Sequence, residues 1–251
     1  MDDAQESLIT HLIELRQRLM RALTAIVLVF LGLFHWSNHI YSLLARPLLR
    51  TLPKGGQLIA TEVTAPFFVP MKVTLLASFL IALPYVLYQV WSFVAPGLYA
   101  HEKRLALPLL VASVLLFFCG MSFASFIVFP VVFGFISSVT PTGVAMMTDI
   151  GKYLDFVMGL FLAFGVTFEV PVLVVLLVRV GVVSVAKLRE IRPYMIVAAF
   201  VIGAIFTPPD VLSQTMLAVP LWLLYEVGVL VAAMMEKQAA ASRQVTDESA
   251  G

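Results

Sequence analysis

Charged residues that could do chemistry lie in four stretches of this 251-residue chain. In the first, SLITHLIELRQRLMR, Glu14 precedes Arg18 by four residues, so the two side chains share one helical face. One interpretation is an interfacial helix with an internal Glu14–Arg18 pair, worth roughly a few tenths of a kcal/mol. The alternative is that the Glu14 carboxylate binds a cationic partner.

The second stretch, WSFVAPGLYAHEKRLALP, contains a single acid, Glu102, beside Lys103 and Arg104. It could be a solvated charge cluster at the start of a helix. It could equally be a carboxylate that recognises a guanidinium group, because bidentate pairs of this kind are strong and directional. Spacing alone leaves both interpretations open.

The third stretch, FLAFGVTFEVPV, places Glu169 inside an apolar run, two residues before Pro171. A charged carboxylate in hydrocarbon costs roughly a few kcal/mol, so it should face a cavity or a polar partner. Pro171 removes a backbone hydrogen bond and should kink the helix. Glu226, in the fourth stretch, LLYEVGV, is a second such acid. Each acid could be protonated and satisfied by a neighbouring helix, or could dock another membrane helix or carry a proton.

The composition of the chain indicates which environment surrounds these side chains. The chain is 61% hydrophobic and 12% charged, with a mean hydropathy of +1.00, whereas soluble proteins carry about 25% charged residues. This balance indicates a lipid environment, and the net charge of +1 argues against a nucleic-acid partner. The sequence shows no phosphate-binding loop, HExxH or GxSxG motif, and His35 and His39 lack a third metal ligand. No catalysis, cofactor or metal is therefore expected.

Apolar runs predict an all-α polytopic membrane protein with six kinked transmembrane helices, because about 20 apolar helical residues cross a bilayer. The fifth span has only 13 residues and reaches about 20 Å, so it should either thin the bilayer or lean on the neighbouring helices. Short fifth and sixth spans should form a tight hairpin across the TPPD turn, and the polar tail 237–251 should be disordered. The domain of residues 1–236 holds spans at about 19–36, 71–93, 107–136, 153–178, 194–206 and 211–235.

The distribution of Lys and Arg predicts the orientation. Eleven of the 16 basic residues fall on the side that carries both chain termini. Since cytoplasmic loops are enriched in Lys and Arg, both termini should be cytoplasmic.

Four motifs in order along the six spans carry a family resemblance: HLIELRQRL (11–19), FVAPGLYAHEKR (93–104), FGVTFEVP (164–171) and TPPDVLSQ (207–214). Over nearly its whole length the chain resembles the TatC family of twin-arginine protein translocases. The resemblance implies a subunit of the bacterial inner membrane that binds twin-arginine signal peptides and exports folded proteins using the proton-motive force. The partners it implies are the signal peptides, the single-span subunits TatA and TatB, other copies of the chain and the lipid bilayer.

The resemblance also implies roles for individual residues, with Glu102 meeting the signal arginines most directly. Glu169 would lie on the concave side of the helical bundle, facing a groove, and hydrogen-bond a partner's span or help admit water. The signal-peptide surface would comprise Glu14, Arg16, Phe93, Leu98, Glu102, Lys103 and Arg104. The intramembrane partner contacts would be Glu169, Thr167 and Gln214, and the structural or outer-side positions Pro47, Pro84, Pro171 and Asp210.

A proton-coupled small-molecule transporter, with Glu169 and Glu226 as a relay, is the alternative function. Transporter folds usually show internal repeats and broken helices near the midplane. The sequence shows no repeat, and its polar residues gather on the predicted cytoplasmic side, which favours a peptide receptor.

Overall fold

The computed structural model describes residues 2–49, 57–94, 106–139, 147–206 and 211–250. Almost all of these residues are helical. The first half contains helices α1 (Asp2–Leu33), α2 (Ser37–Leu49), α3 (Ala65–Val94), α4 (Ala106–Phe123) and α5 (Phe129–Val139), with strand β1 (Gln57–Ile59). The second half contains strand β2 (Met147–Asp149) and helices α6 (Ile150–Thr167), α7 (Val170–Arg179), α8 (Val185–Glu190), α9 (Arg192–Phe206) and α10 (Val211–Ala250).

Five helical segments are long and apolar enough to cross a membrane, which confirms the all-α polytopic class. Helix α9 is apolar but has only 15 residues. A sixth crossing through α9 stays a prediction. The apolar part of α10 has 28 residues, so of the last two predicted spans only the fifth is short. The five segments are Ile9–Leu44, Ala65–Phe93, Leu107–Phe135, Ile150–Arg179 and Val211–Gln238.

Two helices extend beyond the predicted spans. Helix α1 runs unbroken from Asp2 to Leu33, so the predicted interfacial segment and the first span are one helix. Helix α10 continues to Ala250, through the tail 237–251 that the sequence analysis expected to be disordered. The tail begins KQAAASRQ, and Lys, Ala, Gln and Arg are strong helix formers that can extend a helix already begun.

Prolines act differently in three of the spans. The predicted kink at Pro171 is confirmed, because α6 ends at Thr167 and α7 begins at Val170. The third span was predicted as one helix, but a wider π-helical turn at Ala124–Val128 precedes Pro130. Such a turn accommodates a ring that would clash with the preceding helical carbonyl. Helix α3 continues through Pro84 without interruption.

The chain divides into two compact units. The first contains the described residues within 1–114 and 129–159, and in it α1 and α2 both pack on α3. Strands β1 and β2 pair in parallel there, with Leu58 opposite Thr148. The second unit contains the described residues within 115–128 and 160–251, and in it α10 packs on α7, α8 and α9.

The last two helices form the predicted hairpin, joined through residues 207–210, which lie outside the described residues. Ala199 of α9 is fully buried together with Ala218 and Leu221 of α10. The small alanine side chains let the two helices approach closely, as is common where membrane helices pack.

Candidate functional site

The first candidate site lies where the N-terminal part of α1 meets the C-terminal end of α3. The rings of His11 and Phe93 are stacked, with centroids 4.3 Å apart and planes inclined by 25°. Glu14 follows His11 by three residues, so the two are neighbours on the helix surface. The structure therefore brings the predicted recognition residues Glu14 and Phe93 to the same end of this unit.

Glu14 accepts two hydrogen bonds from Arg18, at 3.0 Å from Nε and 2.5 Å from Nη2, as the spacing predicts. Both bonds use the Oε1 oxygen of Glu14. The Glu14 side chain is 37% exposed and that of Arg18 is 21% exposed. Arg16, on the same helix, is exposed. The carboxylate is thus held in place by its own helix, while about a third of the Glu14 side chain stays exposed.

Several predicted site residues cannot be placed. Pro47 lies within helix α2, but its side chain is not among those described. Five more predicted residues lie outside the described residues: Leu98, Glu102, Lys103, Arg104 and Asp210.

The second candidate site is the break between α6 and α7. The Glu169 amide donates to the Val166 carbonyl at 3.0 Å. This hydrogen bond joins residues three apart, so it ends the regular α-helical pattern of α6. The Glu169 carbonyl then accepts from Leu173 at 3.0 Å and begins the ladder of α7. Pro171 falls in the first turn of α7, where a missing amide hydrogen breaks no helical bond. The carboxylate therefore sits at a helix junction, on a half-buried residue with one oxygen enclosed.

Neighbouring helices fix this junction tightly. A Cβ at Gly228 of α10 would lie 2.8 Å from the Cα of Pro171, so only glycine lets α10 approach the start of α7 this closely. On the α6 side, the Phe168 ring packs against Phe123, with centroids 5.7 Å apart. Thr167, predicted as a partner contact, is buried with 4% exposure. The α6–α7 junction that carries Glu169 is therefore tightly packed.

Gln214, the third predicted intramembrane contact, is engaged within the α9–α10 hairpin. Its side-chain amide Nε2 donates to the Phe200 carbonyl of α9 at 2.9 Å. Its amide nitrogen therefore ties α10 to α9.

Glu226 is held by an arginine of the neighbouring helix. Its Oε2 accepts from Nη2 of Arg192, at the start of α9, at 2.6 Å. The adjacent Tyr225 hydroxyl donates to the Leu188 carbonyl of α8 at 2.7 Å. These bonds join α8, α9 and α10 at one end of the second unit. The ion pair gives Glu226 a structural partner, which weakens the relay of the transporter alternative.

A polar cluster that was not predicted from the sequence lies at the start of α6. Asp149 Oδ2 accepts from the Thr61 hydroxyl and, at 3.0 Å, from the Thr61 amide, while Oδ1 accepts from the Lys152 amide at 2.9 Å. These bonds, that from the Thr61 hydroxyl above all, lower the pKa of Asp149 to about 2. The available signal was an acid just before an apolar run, which is a helix N-cap pattern.

A second missed contact joins α3 to α6 in the first unit. The Lys72 ammonium lies 2.9 and 3.0 Å from the two carboxylate oxygens of Asp155. Both side chains are about half exposed. Because 83 residues separate them, no local pattern could indicate this pair.

Acidification should open the Asp149 cluster. The folded-state pKa lies below the unfolded value of about 3.9, so the bonds stabilise the fold above that pH and weaken as the pH falls towards 2. We expect hydrogen exchange, corrected for intrinsic rates, to show protection of the β1–β2 ladder falling between pH 4 and 2. Asp149→Ala should lower this protection already at neutral pH, with protection of α9 as the internal control. Constant protection of the ladder down to pH 2 would refute the assignment.

One site offers a carboxylate beside the end of α3 and the other offers one at the α6–α7 junction, and both positions suit binding. Within the described ranges, no group of three or more His, Cys, Asp or Glu side chains could hold a metal ion. The fold defines an all-α, multi-pass membrane protein.

Comparison with known proteins identifies the family. The sequence model of TatC, the Sec-independent protein translocase protein, matches residues 10–220. The TatC protein of Azotobacter chroococcum (mcd 1) is 59% identical over 227 residues, covering 90% of this chain and 89% of that one. The TatC protein of Escherichia coli (strain K12) is 54% identical over 229 residues, covering 91% and 88%.

The structural comparison agrees. A crystal structure of the twin-arginine translocase receptor TatC superposes with a TM-score of 0.79 at 40% sequence identity, covering 89% of this chain and 98% of that one. The chain belongs to the TatC family of Sec-independent protein translocase proteins, and its role is in protein transport.

Proposed function

We propose that this chain is the receptor subunit of a twin-arginine translocase and binds twin-arginine signal peptides where α1 meets the end of α3. The observation that carries the proposal is the His11–Phe93 stack, which sets Glu14 beside the end of α3. The similar crystal structure is of a twin-arginine translocase receptor, which supports the same role.

The chemistry of the Glu14 carboxylate suits an arginine ligand. Arg18 occupies one oxygen of Glu14 and leaves Oε2 for an incoming guanidinium, which pairs with carboxylates through directional, charge-assisted bonds. The remaining proposed contacts follow Phe93 by 5 to 11 residues in the sequence. These contacts are Leu98, Glu102, Lys103 and Arg104, with Arg16 exposed on α1.

The transport cycle would use partners within the bilayer. We infer that single-span TatA and TatB helices dock near Glu169, and that folded proteins are exported using the proton-motive force. The buried Thr167 and the α9-bound Gln214 would then support the packing behind this surface and would not contact the partner directly. With α9 as a sixth crossing, both termini lie on the cytoplasmic side of a bacterial inner membrane. The distribution of Lys and Arg along the chain favours this orientation. Helix α9 spans about 22 Å, so it would thin the bilayer beside the partner helices.

Glu14→Gln should weaken binding of a twin-arginine peptide about tenfold, because losing one charge-assisted hydrogen bond at a partly exposed site costs about 1.4 kcal/mol. The measurement is titration of a fluorescent signal peptide into the purified chain in nanodiscs. Glu190→Gln is the matched control, since Glu190 is an exposed acid of α8 paired with Lys187 at 3.0 Å. Equal affinities of wild type and Glu14→Gln, or equal losses in both variants, would refute the role of Glu14.

A further inference from the structure

A groove of about 470 Å³ runs between α1 and α3 in the first unit. Its walls are mostly apolar, and several of its side chains, including Leu28, Met20 and Tyr85, are well exposed. It is lined by Met20, Arg21, Thr24, Ala25 and Leu28 of α1 and by Tyr85 of α3.

Arg21 is the cation at this groove. It is the last charged residue before the apolar run ALTAIVLVFLGLF, so it stands where α1 enters the hydrocarbon. Its side chain is exposed, and no carboxylate among the described residues lies within ion-pair distance of it, whereas Arg18 is paired with Glu14. An arginine at this end of a span directs its guanidinium towards the headgroup layer, where lipid phosphates are available to it.

The lining residues of α1 lie on one helical face, which extends from Arg21 towards the hydrocarbon region of the bilayer. Arg21, Thr24, Ala25 and Leu28 are spaced at i, i+3, i+4 and i+7, so they lie on one helical face over about 10 Å. The Thr24 hydroxyl donates to the Met20 carbonyl at 2.7 Å, which leaves the groove below Arg21 effectively apolar. Tyr85 offers an amphipathic ring of the type that favours the membrane interface.

We propose that this groove is a binding site for one anionic phospholipid. The phosphate lies on the Arg21 guanidinium, which binds phosphates bidentately, and an acyl chain runs along Ala25 and Leu28. A lipid fits better than an acidic protein segment because the cation stands at headgroup depth and the rest of the groove is apolar. An anionic headgroup is favoured over a zwitterionic one because it brings no cation of its own to compete with Arg21.

Native mass spectrometry of the purified full-length chain, titrated with phosphatidylglycerol or phosphatidylcholine, tests this site. Wild type should retain one phosphatidylglycerol in preference to phosphatidylcholine. Arg21→Gln should weaken phosphatidylglycerol binding about fivefold, the effect of one basic residue near an anionic lipid. Ala25→Phe should also weaken binding, because it fills the groove without changing the charge.

Arg189→Gln provides the matched control, since Arg189 is an exposed cation of α8 outside the groove. It should leave the affinity unchanged, and size-exclusion profiles should match for all variants. Equal losses in Arg21→Gln and Arg189→Gln, equal binding of both lipids, or unchanged binding in Arg21→Gln would overturn the proposal. Crosslinking of a single-span protein helix into the groove, not competed by phosphatidylglycerol, would assign the groove to a protein instead.

Discussion

Gly120→Ala is expected to destabilise the second unit by about 2–4 kcal/mol. A Cβ at Gly120 of α4 would overlap the Phe164 carbonyl oxygen of α6 and lie 2.9 Å from its carbonyl carbon. It would also lie 2.9 Å from Cγ of the Phe168 ring. Because two of these atoms are backbone, the helices must move apart, and the contacts of the packed core are lost with them.

Gly159→Ala, in α6, is the matched control for this prediction. A Cβ at Gly159 would meet nothing within 4 Å, so alanine should be neutral or stabilising by up to about 1 kcal/mol through its helix propensity. The measurement is the unfolding free energy of both variants in mixed detergent micelles. If Gly120→Ala is as stable as Gly159→Ala, then α4 and α6 do not cross at backbone contact.

Glu169→Leu should lower export of a folded reporter about fivefold or more, while Glu169→Gln should have a milder effect. The carboxylate sits at the α6–α7 junction, where the proposed polar bond to a partner's single span would contribute roughly 1 kcal/mol and fix the register of that span. Glutamine keeps a hydrogen-bonding group at that position, whereas leucine offers none. The readouts are reporter export and crosslinking of the single-span partners.

Thr215→Val is the control for an intramembrane polar group that serves only its own helix. The Thr215 hydroxyl donates to the Val211 carbonyl of α10, so its loss should leave export and crosslinking unchanged. Wild-type export with unchanged partner crosslinking in Glu169→Leu would rule out the docking role of Glu169.

Local sequence signals predicted those parts of the structure that depend on near neighbours along the chain. The Glu14–Arg18 pair follows from a spacing of four, and the break at Pro171 follows from a ring that cannot continue the helical ladder. Pro130 carries the same signal, but the sequence analysis placed it inside one continuous span. The wider turn before it keeps the third span helical and bends it locally, an outcome that the proline alone does not specify.

Contacts between distant residues could not be predicted from such signals. The Arg192–Glu226 pair closes over 34 residues, and β1 and β2 pair across nearly 90 residues. Glu226 was recognised as an acid that needs a partner, but choosing Arg192 requires knowing that α9 and α10 form a hairpin in that register. The helical tail was missed because polar composition was weighed above the helix propensity of its alanines.

Site-specific crosslinking of a signal peptide to the chain in native membranes tests the proposed receptor role most directly. The comparison is between a twin-arginine peptide and its twin-lysine counterpart, each with wild type and with Glu102→Gln. We predict strong crosslinking only for the twin-arginine peptide on wild type, because lysine cannot form the bidentate pair and glutamine lacks the charge. Equal crosslinking of both peptides to wild type would contradict twin-arginine recognition by this chain.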